Sequence, residues 1–205
     1  MAEVKLTKTE LRAQQYRLGQ LQKYLPTLQL KKAMLQSEVQ QARLEIDALE
    51  EAYSFEHNRV EGYAALLTNK VTLDPKRIIK GAKVQKHYEN IAGVEVPYFD
   101  GIFFEEITYD LFTTPPWVDS VIVGVRGLIT SYAKVEVARE KKRALEKELR
   151  EVSIRVNLFE KILIPRSLSN IRKIRVFLGD LQLAAVSQAK VAKNKIEERK
   201  AGKPV

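Results

Sequence analysis

The chain has 205 residues, no Cys, two His and a net charge of +9 with a pI near 9.6, which excludes disulfides and thiolate metal sites and leaves too few imidazoles for a histidine-rich one. No apolar run approaches the ~18 residues of a membrane span, and the first turns of sequence carry charges where a signal peptide carries its apolar core, so a cytoplasmic protein, or one peripheral to a membrane, is expected. The basic excess admits nucleic acid, anionic lipid or an acidic protein as partner, yet acids are interleaved with the cations along most of the chain, as the solvated face of a coiled coil requires.

From Val4 to Leu67 one hydrophobic seam keeps its register. Steps of seven from Val4 reach Leu11, Leu18, Leu25, Lys32, Val39, Ile46, Tyr53, Val60 and Leu67, so nine of ten positions are apolar. The companion column, Thr7, Gln14, Leu21, Leu28, Leu35, Ala42, Leu49, Glu56 and Tyr63, is apolar at six of nine. Such a repeat belongs to a helix supercoiled about a partner, because only an under-wound period of about 3.5 residues keeps one stripe facing its neighbour. A helix of this kind, at about 1.5 Å per residue, is roughly 95 Å long. Pro26 removes one backbone donor and crowds the carbonyl of Gln22, which predicts a bend. Lys32, at a seam position, is expected to reach solvent over its aliphatic stem, with a register-setting polar residue as the alternative.

The heptad is abandoned between Thr72 and Pro116. Asp74 followed by Pro75 reads as a cap and a first-turn proline, predicting a short helix from Pro75 to about Tyr88. Two β-branched and aromatic runs, Asn90 to Phe99 and Ile102 to Tyr109, flank Asp100-Gly101, which predicts a β-hairpin turning there. Val94 and Val96 belong to its first strand, and Pro97 confines that strand to an edge or bends it.

Pro115-Pro116 stops the chain and starts a helix from about Trp117 to the last residues. Its seam runs Leu128, Val135, Lys142, Leu149, Val156 and Leu163, beside Ser131, Ala138, Leu145, Val152 and Phe159. Beyond Pro165 the phase slips by one residue and resumes as Ile171, Leu178, Ala185 and Ala192, flanked by Ile174 and Leu181, so a bend and a local change of supercoil are expected. The prediction is a mainly α protein: an antiparallel two-helix coiled coil formed by residues 1–70 and 117–205, with residues 71–116 as a small helix and β-hairpin module at the far end. The tail carries Lys190, Lys193, Lys195, Arg199, Lys200 and Lys203 against Glu197 and Glu198, a local net of four positive charges.

No Gly-x-x-x-x-Gly-Lys-Ser/Thr run, Gly-x-Ser-x-Gly elbow or His-Glu-x-x-His occurs. Carboxylate pairs such as Glu50-Glu51 and Glu105-Glu106 need a pocket to become acid and base, and a two-helix rod has none. Gly124 and Gly127 fall within the second helix, where close helix packing is their expected use. A non-catalytic chain without cofactor or metal is the reading.

Taken in order, Leu6-Thr7-Lys8-Thr9-Glu10-Leu11, Leu28-Gln29-Leu30-Lys31-Lys32, Gly93-Val94-Glu95-Val96-Pro97 and Val156-Asn157-Leu158-Phe159-Glu160 leading to Ile164-Pro165 resemble the D subunit of the V-type and archaeal-type rotary ATPases over essentially the whole chain. Where that family commonly carries a basic residue after its Leu-Leu-Lys-x-Lys segment, this chain has Ala33 and Met34. The resemblance implies a central rotor shaft, one copy per complex, that couples ATP synthesis or hydrolysis to proton or sodium transport. It implies as partners the catalytic and nucleotide-binding subunits of a hexameric head, the small F subunit of the central stalk and the socket subunit of the membrane rotor, with ATP and magnesium held by other subunits. On that reading Ile171, Ile174 and Leu178, with Phe177 on a neighbouring face, would form a bearing in the head, and Lys190, Lys193, Lys195 and Arg199 would face its acidic loops. A non-rotary coiled-coil tether or scaffold shares the rod but needs no Asn157, Glu160 and Ile164-Pro165 pattern. A basic nucleic-acid- or membrane-binding rod needs a segregated basic face, which the interleaved acids oppose.

Overall fold

Heptad patterning and a well-formed cap make the first element. In the computed structural model, which describes residues 4–62, 79–108, 114–200 and 202, helix α1 spans Lys8–Glu61. Thr7 caps it: its Oγ1 accepts the Glu10 amide at 3.2 Å, the side-chain half of a Thr-x-x-Glu start. Helix α1 runs on through Pro26, whose missing N–H takes one donor from the ladder. Just beyond it, Thr27 Oγ1 donates to the Tyr24 carbonyl at 2.7 Å. The predicted end of this helix, residues 63–69, lies outside the described residues.

The chain packs as two compact units, Lys31–Val152 and Met1–Leu30 with Ser153–Val205. In the first, α1 meets helix α2 (Trp117–Leu158). Ion pairs join Lys31 to Glu148 (2.8 Å), Arg43 to Glu146 (3.1 Å), Glu45 to Lys141 (3.0 Å) and Glu50 to Arg139 (2.7 Å). Numbers climb on one helix as they fall on the other, so the pair is antiparallel. Between them the predicted columns are buried: Leu35, Val39, Ala42 and Ile46 against Val135, Ala138, Leu145 and Val152. Burial of each such side chain removes apolar area worth about 1.5–3 kcal/mol from water, which outweighs what the exposed pairs, Arg43 with Glu146 and Glu50 with Arg139, contribute. Gly124 is a close-packing glycine, since a Cβ there would lie 3.4 Å from Val60 Cγ2, whereas Gly127 faces open space.

The hairpin differs from the sequence expectation. Strand β1 (Lys83–Ile91) pairs antiparallel with β2 (Val94–Phe103), so the turn is Ala92-Gly93 and not Asp100-Gly101. Both turn residues have positive φ, 51° and 83°, the type I′ geometry whose twist matches a two-residue hairpin. Asn90 Oδ1 accepts the Gly93 amide at 2.9 Å. Asp100-Gly101 instead marks a bulge: Gln85 pairs with Gly101 and Lys86 with Phe99, leaving Asp100 as the extra residue. The short helix to Tyr88 is also corrected. Ile79 is its last helical residue, Gly81 at φ 76° ends it in the left-handed conformation, and Lys83 to Tyr88 are strand. Residues 75–78 lie outside the described residues, as does Tyr109, and β2 ends at Phe103.

In the second unit the long C-terminal helix is interrupted once. A π-helical turn, Phe159–Leu163, separates α2 from α3 (Ile164–Lys200). The Ile164 amide donates to the Phe159 carbonyl, five residues back, so one extra residue enters the helix just before Pro165. This is the one-residue phase slip seen in the sequence. With it, Val156 before the turn and Ser167, Ile171 and Ile174 after it are all buried, together with Gln14 of α1.

Candidate partner-binding surfaces

The hairpin is held to its own unit through side chains of β2. Val96 and Pro97 are buried, and Tyr98 and Phe99 half-buried. Lys134 lies 5.8 Å from the centre of the Phe99 ring and Lys141 4.1 Å from that of Tyr98. Lys86 of β1 pairs with Glu140 of α2. Lys141 is only 7% exposed. Burial works to lower its pKa, but the hydrogen bonds to Glu45 and Tyr98 outweigh burial and hold it above its ordinary value. Arg139, bridging Glu50 and Glu136 at 2.7 Å each, is likewise raised, chiefly by the Glu50 bond. Sequence reading missed Lys141 because the seven-step column lands on Lys142, one place later. The signal present was two adjacent lysines where a seam needs one inward residue.

The first strand of the hairpin is exposed, with Val84 and Tyr88 among its polar residues. Every residue of β1 from Lys83 to Asn90 is exposed. His87 Nδ1 lies 2.6 Å from Asp100 Oδ1, the carboxylate that the bulge turns toward it, and its ring stacks on Tyr98 at 5.4 Å. Of the residues expected in the hairpin module, Val94, Val96 and Pro97 therefore form and seat β2, while Asp100 and Gly101 shape its bulge.

On α3 the expected bearing residues divide. Ile171 (5% exposed) and Ile174 (0%) are buried inside their unit; their spacing continues the chain's own seam. Leu178 is half-buried, and Phe177 is exposed. From Leu181 to Lys200 every residue is exposed. The seam continues into this stretch as Leu181, Ala185 and Ala192 with no covering element among the described residues, beside exposed Val176, Leu183, Val186 and Ile196. Lys190, Lys195 and Arg199 are exposed there, with Lys193 3.8 Å from Glu197; Lys203 lies outside the described residues. An apolar stripe of this length, uncovered among the described residues, is a candidate interaction surface. Pro26 and Pro165, expected as bends, both face solvent.

No helix of the described residues is long and apolar enough to cross a membrane, and among them no group of three or more His, Asp or Glu side chains is placed to hold a metal ion.

The sequence pattern of the family described as the D subunit of ATP synthase matches residues 10–194. Among curated proteins, the V-type ATP synthase D subunit of Chlamydia felis is 44% identical over 200 residues, covering 97% of this chain and 96% of that one. The proteins of the same description from Chlamydia pneumoniae and Chlamydia trachomatis serovar L2 are each 42% identical, covering 97% of this chain and 96% and 98% of theirs.

Proposed function

The chain belongs to the family of ATP synthase D subunits, and from that premise we propose that it is the central rotor shaft of a V/A-type ATP synthase, passing torque between a membrane ion-translocating ring and a hexameric catalytic head. It is a non-catalytic part: the ATP that is made or split, and its magnesium, are bound by other subunits, and one copy serves each complex, peripheral to the membrane. Its partners are the head subunits, the small F subunit of the central stalk and the socket subunit of the rotor.

The observation that carries this reading is the uncovered length of α3. A helix that continues an apolar seam from Leu181 to Ala192 with no cover among the described residues, and ends in Lys190, Lys195 and Arg199, suits insertion into a surrounding partner. With Ile171 and Ile174 turned inward, the bearing falls to Phe177, Leu181, Leu183 and Val186. Torque requires that paired helices not slip. Apolar layers such as Leu35 and Leu145, both fully buried, resist slipping, and the cross-helix bonds of Arg139 and Lys141 fix which residues face each other.

Affinity purification of the chain from detergent-solubilised membranes, with quantitation of what accompanies it, tests the reading. A single copy with several copies of two large nucleotide-binding subunits is the expected result. Recovery of the chain alone, or with nucleic acid, would move it to a tether or a basic binding rod.

A further inference from the structure

A cleft lies in the unit built from Met1–Leu30 and Ser153–Val205. Its volume is about 560 Å³, within the range of small-molecule sites. Val4, Leu21 and Leu163 form its apolar part, and the other lining residues set polar and basic side chains beside the seam. Gln14 and Ser167, 9% and 5% exposed, are buried polar residues of the lining, and Asn170 stands one helical turn from Ser167. Lys5, Arg17 and Arg166 also line the cleft and have neither an ion pair nor a hydrogen bond among the described residues. The one lining carboxylate, Glu10, accepts a bond from Gln14 Nε2 at 2.8 Å, so three cations face one acid.

We propose that this cleft is an oxyanion site that takes a phosphate-bearing small molecule, with Arg17, Arg166 and Lys5 neutralising the phosphoryl oxygens and Ser167 and Asn170 supplying neutral donors. The chemistry favours phosphate over a partner's carboxylate. Two guanidinium groups offer planar forks to several oxygens at once, and with Lys5 they set three cations around one cleft, more than a single carboxylate uses. Inorganic phosphate and the polyphosphate of a nucleotide share this chemistry, and their affinities separate them.

The test titrates the purified full-length chain with orthophosphate, tripolyphosphate and ATP by calorimetry, at ionic strength held constant with chloride. Saturable binding is expected for at least one of the three. Orthophosphate binding as well as the others assigns the site to a single phosphate group; preference for tripolyphosphate and ATP assigns it to a polyphosphate. Arg17→Gln and Arg166→Gln, both exposed and so without cost to folding, should each weaken binding about tenfold, as loss of a charge-assisted hydrogen bond does. Lys195→Gln, in the exposed end of α3, should leave it unchanged. Absence of saturable binding to all three anions, equal affinity in the arginine variants, equal weakening by Lys195→Gln, or displacement by an oligoglutamate peptide as effective as by tripolyphosphate would each overturn the proposal. None of these outcomes bears on which proteins copurify with the chain, so this site and the shaft reading fail separately.

Discussion

The Lys141 ammonium on α2 sits 4.1 Å from the centre of the Tyr98 ring on β2. The same nitrogen donates to Glu45 on α1 at 3.0 Å, so one cation ties both long helices to the hairpin. A desolvated cation over an aromatic face is worth about 2 kcal/mol. A double-mutant cycle of Lys141→Met and Tyr98→Leu, followed by urea denaturation, should therefore return a coupling of about 1–2 kcal/mol. Coupling within about 0.3 kcal/mol of zero would leave shape alone holding the hairpin.

The same lysine sets a pH dependence. Its folded pKa is raised above the ordinary 10.5, so its contribution is complete below that value and is lost as pH rises through the folded value. Between pH 10.5 and about pH 12 the parent should lose more stability than Lys141→Met, in which that linkage is gone. Parallel stability curves for the two proteins over this interval would contradict the assignment.

Ala92 occupies a left-handed position, φ 51°, at the first centre of a type I′ turn. An L-residue with a Cβ is strained there by about 1–2 kcal/mol, and Asn carries the conformation more readily. Ala92→Asn should raise stability by about 0.5–1 kcal/mol and slow amide exchange along β1. Unchanged exchange at Tyr88 and Asn90 would show that the turn does not limit hairpin opening.

The hairpin also shows where sequence stops being legible. Asp-Gly is the stronger turn signal, and it attracted the prediction, but a register is decided by which face is buried. The turn at Ala92-Gly93 buries Val96 and seats Tyr98 under Lys141, contacts with residues more than forty positions away that no local pattern announces. Asp100-Gly101 kept its local irregularity as a bulge. The helix pair was legible because its signal is periodic: Leu35, Val39, Ala42 and Ile46 are buried where the columns placed them. The inward turn of Ile171 and Ile174 was hidden for the converse reason, since period alone does not say whether a stripe meets its own chain or another.

The π-turn and the phase slip are one fact seen twice, and this makes the turn removable. Deleting Lys161, an exposed residue within Phe159–Leu163, should convert the turn to α-helix while leaving Val156 and Ile171 on the same face. Stability should change by less than about 1 kcal/mol. Deleting exposed Arg150 instead rotates everything after it by about 100° and takes Val152 and Val156 out of the seam, at about 1.5–3 kcal/mol for each displaced side chain. Thermal denaturation of the two deletions compares them directly. Equal losses would mean that the π-turn is not the register device.

The division of α3 into inward and outward apolar residues yields opposite expectations for neighbouring side chains. Ile174 is fully buried, so Ile174→Ala removes packing and leaves a cavity, costing about 2–4 kcal/mol in the isolated chain. Phe177 is exposed and Leu181 more so, so Phe177→Ala and Leu181→Asp should leave urea denaturation within about 0.5 kcal/mol of the parent. In the assembled complex the order reverses. Leu181→Asp sets a charge on the surface assigned to the head and should reduce the recovery of nucleotide-binding subunits or uncouple their ATP hydrolysis from ion transport. Ile174→Ala, once folded, should leave both intact. If Leu181→Asp destabilised the isolated chain, the uncovered stretch of α3 would be packed in solution against its own molecule. If it left both stability and assembly unchanged, the bearing would have to be sought on another face of the helix.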